Sequence, residues 1–328
     1  MRKPRPAEFH SQAIIIDGLN ASYFLNEEVP RRLKRGKITA FNGTIAAWHS
    51  LPETMSLIAD HYRLFEEKPD LIAQVRTIDD IRVCKRKGVP GMILGFQSIN
   101  PLNGNIRMLA VYKALGVRIV QLTYNEENEA GFGCMAPDDK GLTSFGRELV
   151  IEMNRLGMLI DLSHCGHKTT MNAIEASTAP VAFTHANPLA LAKNPRNKPD
   201  EAFKALGAKG GVVGVVALPA WLTHDGQATL EDYLRAIDYL VNLVGVDHVG
   251  LGTDFMEEMP EEIAAAALKG ISAENLQKFY SSKIVKGFES ISDCAKVTEG
   301  LLGRGYSTED VKKILGGNWM RLYHEVWG

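Results

Sequence analysis

The 328-residue chain has only four cysteines, Cys84, Cys134, Cys165 and Cys294. They lie far apart and form no C-x-x-C pair. That excludes a zinc ribbon and a disulfide-stapled scaffold, and a reduced, cytoplasmic protein is the simplest expectation. Long hydrophobic runs are missing as well. The first ten residues carry positive charge, but the first apolar run is only Ala13–Ile16, too short for a signal peptide or a membrane span. There is no excess of either charge: the net charge of −2 gives no electrostatic case for nucleic acid or an anionic membrane as partner. The one basic cluster, Arg31-Arg-Leu-Lys-Arg35, reads as a solvated loop or helix face rather than a binding patch. A glycine-rich phosphate loop is also absent. The turn after the first apolar run reads Asp17-Gly-Leu-Asn-Ala-Ser22, which argues against a doubly wound nucleotide-binding sheet.

What remains is a globular composition, 45% hydrophobic and 23% charged, with no repeat and no low-complexity linker. Eight short apolar runs bounded by turn residues read as strands: Ala13–Asp17, Ile38–Ala46, Met92–Gln97, Arg118–Thr123, Met158–Asp161, Val181–Thr184, Val212–Ala217 and His248–Gly252. Helical periodicity fills the spaces at Thr54–Phe65, Thr77–Arg86, Asn105–Leu115, Ser144–Leu156, Lys168–Ala176, Pro199–Lys209 and Leu230–Val244. Glycines 88, 116, 157, 210, 211 and 245 stand where helices should stop and turn back into a sheet. Strand–helix alternation with nearly continuous apolar strands predicts a (β/α)8 TIM barrel, a single domain over residues 1–328. The main irregularity is an insertion around 256–291, helical over Glu261–Lys269. It reads as a lid, a dimer contact or a plain surface insertion at the barrel mouth.

Three of the strand runs end in residues able to bind metal or move protons: His164 in Met158-Leu-Ile-Asp-Leu-Ser-His164, His185 in Val181-Ala-Phe-Thr-His185, and Asp254 in Val249-Gly-Leu-Gly-Thr-Asp254. In a parallel barrel such ends converge on one mouth, so residues far apart in sequence can share one ion or one substrate. A lone histidine is ordinarily a hydrogen-bonded core or surface residue. Two at equivalent strand ends, with an acid at a third, point to an enzyme.

Ordered motifs then carry a resemblance over about residues 12–325. They are Asp17-Gly-Leu-Asn-Ala21, Leu94-Gly-Phe-Gln97, Gln121-Leu-Thr-Tyr-Asn125, Asp161-Leu-Ser-His164, Phe183-Thr-His185, Asn194-Pro-Arg-Asn197, Gly252-Thr-Asp254 and Gly316-Gly-Asn318-Trp-Met-Arg321. Together they resemble the membrane (renal) dipeptidases, the M19 metal-dependent hydrolases of the amidohydrolase-type barrels. The resemblance implies a zinc-dependent amide hydrolase acting on a dipeptide or similar small carboxylate-bearing molecule, with a tendency to homodimers. By position it makes His164 and His185 metal ligands, Asp254 the acid/base and Arg196 the holder of a substrate carboxylate. Tyr124 and Asn125 would shape the substrate pocket. Asn318 would bind substrate or merely cap the last helix.

The departures are equally specific. The family's first-strand histidine and aspartate are replaced by Leu19 and Ala21, its bridging glutamate by Gln97, and its substrate-contacting histidine by Tyr124. One metal position has thus lost its ligands. The other keeps two histidines, with Gln97 as a weak third, which implies about one zinc per chain. Two other readings stand beside this one. One is a barrel that kept the pocket but binds a small amino-acid-like ligand without cleaving peptides. The other is a hydrolase with a changed substrate that uses one metal or none.

Overall fold

The computed structural model describes residues 5–261, 263 and 284–328. Among the described residues nine parallel strands lie in one sheet: β1 Ile16–Asn20, β2 Ala40–Ala46, β3 Ala73–Val75, β4 Gly91–Phe96, β5 Val117–Gln121, β6 Leu159–Asp161, β7 Ala182–Phe183, β8 Val212–Val215 and β9 Val249–Leu251. β1 pairs with both β2 and β9, and β2 pairs with β4 from Ala40↔Gly91 to Ala46↔Phe96, so all strands but β3 close into the expected (β/α)8 barrel. Each of the eight anticipated apolar runs supplies one barrel strand. The strand missing from the sequence reading is β3, which pairs with the first half of β4 before β5 joins it at Leu94. Its three residues, Ala-Gln-Val, are too few and too exposed to leave an apolar signature.

The helices follow their local chemistry. Thr77 and Asp80 form a reciprocal capping box at the start of Ile78–Lys87, and Gly88 ends that helix at φ 64°. The expected helices Ser144–Leu156 and Leu230–Val244 are present over those residues. The basic cluster falls on the helix Glu28–Arg35, where Arg31, Arg32 and Arg35 pair with Glu27, Glu258 and Glu28. A solvated loop or helix face was the expectation; a helix face forms, and it is ion-paired. None of the four cysteines is bonded to another. Among the described residues no helix is long and apolar enough to cross a membrane. The helix anticipated at Glu261–Lys269, and most of the 256–291 insertion, lie outside the described residues.

The floor of the barrel is sealed by the C-terminal helix Asn318–Trp327. Trp319, Leu322 and Tyr323 pack against Ile16, Ala40, Ile93, Ile119, Leu159, Ala182 and Val212, and Trp319 Nε1 donates to Leu251 O at 3.0 Å. Glycines make room in this interior. A Cβ at Gly252 would stand 2.0 Å from Thr184 O and 2.8 Å from the Gly214 Cα, both backbone atoms with nowhere to move. Gly252→Ala is therefore expected to lower the stability by about 3 kcal/mol or more, at the upper end for overpacking. Chemical denaturation measures it, and an unchanged midpoint would contradict this tight crossing.

Candidate active site

His164 and His185 stand just beyond the C-terminal ends of β6 and β7, buried to 3% and 0% exposure. Their Nε2 atoms face each other at 2.9 Å. The opposite nitrogens are tied down. His164 Nδ1 donates to Asn125 Oδ1 at 2.7 Å, since an amide oxygen can only accept. Thr184 Oγ1 gives its hydrogen to Asp161 Oδ2 at 2.7 Å and so accepts from His185 Nδ1, also at 2.7 Å. Both Nε2 atoms are then bare lone pairs pointing at one another. Burial, with Arg196 next in importance, holds both imidazoles well below their usual pKa, so a shared proton is disfavoured. Ligating histidines are prepared in this way: the far N–H is fixed by a carboxylate relay or an amide, and the near lone pair is aimed at an ion.

Asp161 organises the floor beneath this pair. Its carboxylate accepts from Ser163 N (3.0 Å), Ser163 Oγ (2.5 Å), Thr184 N (3.0 Å) and Thr184 Oγ1 (2.7 Å), stitching the end of β6 to that of β7. Asp17 does the same between β1 and the loop after β9, accepting from Thr253 N at 2.7 Å and Thr253 Oγ1 at 2.6 Å.

Asp254 follows β9 at the same mouth, at φ 56°, a left-handed conformation that Asp and Asn tolerate best. Its N–H donates to Leu19 O at 3.0 Å, which seats it against β1. Burial pushes its carboxyl up to about 7; Arg196 opposes the shift, and Asp17 and Asp161 add to it. A carboxyl poised near neutrality is suited to taking and returning a proton.

Arg196 is 1% exposed. It donates from Nη1 to Ser163 O (2.5 Å) and from Nη2 to His185 O (2.7 Å), and lies over the Trp221 ring at 4.9 Å. It therefore fixes the backbone on which both histidines sit. Its Nε is buried without a partner, an N–H still able to serve a carboxylate. Lys198 was not anticipated. It is fully buried, donates to Cys165 O and to Thr170 Oγ1 at 3.2 Å, and burial draws its pKa down to about 8. Tyr124 stacks on His164 with ring centroids 4.0 Å apart and is held against Trp48 at 4.4 Å.

One expectation needs correction. Asn318 is not at the mouth: its Nδ2 donates to Val246 O and Val249 O, both at 2.7 Å, where β9 begins, so it anchors the closing helix to the opposite end of the barrel. Asn125 is half-buried beside His164, and its amide oxygen accepts from that ring. Gln97 is nearly buried at the end of β4, and its Nε2 donates to Thr44 Oγ1 at 2.8 Å, which leaves only its Oε1 for an ion. Leu19, 1% exposed, offers no donor, and neither does Ala21. Among the described residues no three His, Cys, Asp or Glu side chains are grouped to hold an ion. The donors at the mouth are thus two imidazoles with at most one amide oxygen, short of the three protein ligands usual for catalytic zinc.

Comparison with known proteins agrees with this geometry. The membrane dipeptidase (peptidase family M19) profile matches residues 12–282 and 277–327. The chain is 32% identical over 281 residues to dipeptidase tcpJ of Claviceps purpurea, covering 84% of this chain and 60% of that protein. It spans 59% of dipeptidase aclJ of Aspergillus oryzae, so the curated dipeptidases it matches are substantially longer. The crystal structure of an amidohydrolase from Pseudomonas aeruginosa superposes with a TM-score of 0.92 at 36% identity, covering 99% of this chain and 100% of that one. With eight closed parallel strands, paired histidines at the mouth and a match along nearly its whole length, the chain belongs to the membrane dipeptidase family, peptidase family M19.

Proposed function

We propose that this chain is a hydrolase of small carboxylate-bearing amides, dipeptides above all, that works with a single zinc ion held by His164 and His185. The observation that carries the reading is the pair of Nε2 lone pairs facing each other at 2.9 Å, each with its Nδ1–H already committed. An ion bound there would polarise the scissile carbonyl and acidify the attacking water. The protein's own groups do the rest. Asp254 takes the proton from the water and returns it to the leaving amine. Arg196, through its unpartnered Nε, meets the substrate carboxylate. Tyr124 covers one face of His164 and keeps bulk water from that ring. Gln97 lends at most a neutral oxygen, so zinc should be held less tightly than by the three protein ligands usual for catalytic zinc.

The test is hydrolysis of a dipeptide panel by protein equilibrated with zinc. Activity is expected to disappear with chelator and to return with zinc, and His185→Ala should neither cleave nor retain the ion. No cleavage of any dipeptide at saturating zinc would overturn the proposal. It would favour instead the barrel that binds a small amino-acid-like ligand, the reading supported by Leu19 and Ala21 at the family's first-strand ligand positions.

A further inference from the structure

One side of the mouth is apolar and open to solvent. Trp48, in the loop after β2, is 41% exposed, and Met135, in the loop after β5, is 49% exposed. Both flank Tyr124. Trp48 meets its ring edge-on at 4.4 Å, and Met135 N donates to Asn125 O at 2.8 Å, next to Tyr124 in the chain. Tyr124 in turn lies flat on His164 at 4.0 Å. The apolar surface is therefore continuous with the imidazole pair. Arg196 is bonded to Ser163 O and His185 O, the backbone that carries the two histidines, so the shelf and the cationic end of the site border one another. Apolar side chains left in water beside a site are characteristic of ligand recognition. A tryptophan supplies a large rigid face, and a methionine adapts to what lies on it.

The geometry points to Trp48 and Met135 as specificity-determining residues that receive an apolar, preferably aromatic, side chain of a substrate whose carboxylate is held by Arg196. This rests on the carboxylate-bearing substrate proposed above. The loop that carries Met135 also holds the exposed Glu126, Glu127 and Glu129, which disfavour an acidic side chain in the same place. A small or acidic residue would leave the shelf wet.

Binding without turnover tests this. The probes are phenylalanine and alanine, which share a carboxylate, carry no amide to cleave and differ only in the side chain. Titration calorimetry on the zinc-equilibrated protein should show the phenylalanine probe binding about tenfold or more tighter, the scale set by burying a few methylenes' worth of surface. Trp48→Ala should level the two probes, Met135→Ala should narrow the gap, and Trp48→Phe should keep most of it. Equal affinities in the parent protein, no binding of either probe, or a preference untouched by Trp48→Ala would each overturn the assignment. Failure of the hydrolase reading looks different. An aromatic preference that depends on Trp48, in a protein that cleaves no dipeptide, would remove the peptidase and leave the shelf in place.

Discussion

Asp254→Asn is expected to lower kcat/KM by about 10²–10⁴, the range for losing a positioned acid/base group, while making the protein more stable at neutral pH. Asparagine keeps the size of the side chain and tolerates the positive φ of 56°, so the mouth should keep its shape. The loss of activity follows from the missing base. The gain in stability follows from linkage. Burial pushes the folded carboxyl up to about 7, well above the ordinary aspartate range. The folded state therefore binds this proton more tightly than the unfolded state does. Stability attributable to the group is present at acid pH and is lost as pH rises from the unfolded value through about 7. Above that, an ionised carboxylate is held in a desolvated site, offset in part by Arg196. The difference in melting temperature between Asp254→Asn and the parent should be small near pH 4 and grow in the variant's favour toward pH 8. In the parent, log kcat/KM should rise with pH and level off above neutrality, because the base form is the deprotonated one. A variant that keeps full activity, or that loses stability at pH 8, would count against the role.

The second large effect is on the scaffold of the metal site. Asp161→Ala strips four buried donors of their acceptor, two of them backbone N–H groups. Removing one member of a buried hydrogen-bonded charge network costs about 3–5 kcal/mol, which in a chain of this size lowers Tm by roughly 4–7 °C. Asp161→Asn separates stability from function. The amide can still accept from Ser163, but its Nδ2 cannot accept from Thr184 Oγ1. That hydroxyl is then free to donate to His185 Nδ1, which moves the ring proton to Nε2 and removes the lone pair meant for the ion. Zinc affinity is expected to fall about 10–100-fold, the usual cost of losing a partner behind a ligating histidine. Titration with a competing zinc indicator gives the affinity. Unchanged affinity in a folded Asp161→Asn protein would show that the Asp161–Thr184 relay does not set the tautomer of His185.

The barrel was legible because strands covered on both faces must be apolar along their length, and eight such runs stood between helical segments. β3 escaped because Ala73–Val75 lies beside the barrel rather than in it and is only partly covered. That His164, His185 and Asp254 stand at one mouth was legible because each follows the end of a strand, where a parallel barrel gathers its chemistry. What surrounds them was not. That Asp161 reaches Thr184 depends on the register Asp161↔Ala182 between β6 and β7, which no local pattern encodes. Lys198 carries no signal in the sequence, and only the fold of its loop brings it to Cys165 O. Asn318 was misplaced for the opposite reason: a motif match gives a position in the chain but not an end of the barrel, and this one lies at the start of β9. Trp48 carried no signal, being one aromatic residue in a loop.

Zinc stoichiometry is the most direct measure of the single-ion site. Protein purified without a metal-binding tag, equilibrated with zinc and freed of excess by gel filtration, should carry one ion per chain by plasma mass spectrometry. That ion should be absent from the His164→Ala and His185→Ala variants. Two ions per chain, or none after equilibration, would contradict a single site built on those two imidazoles.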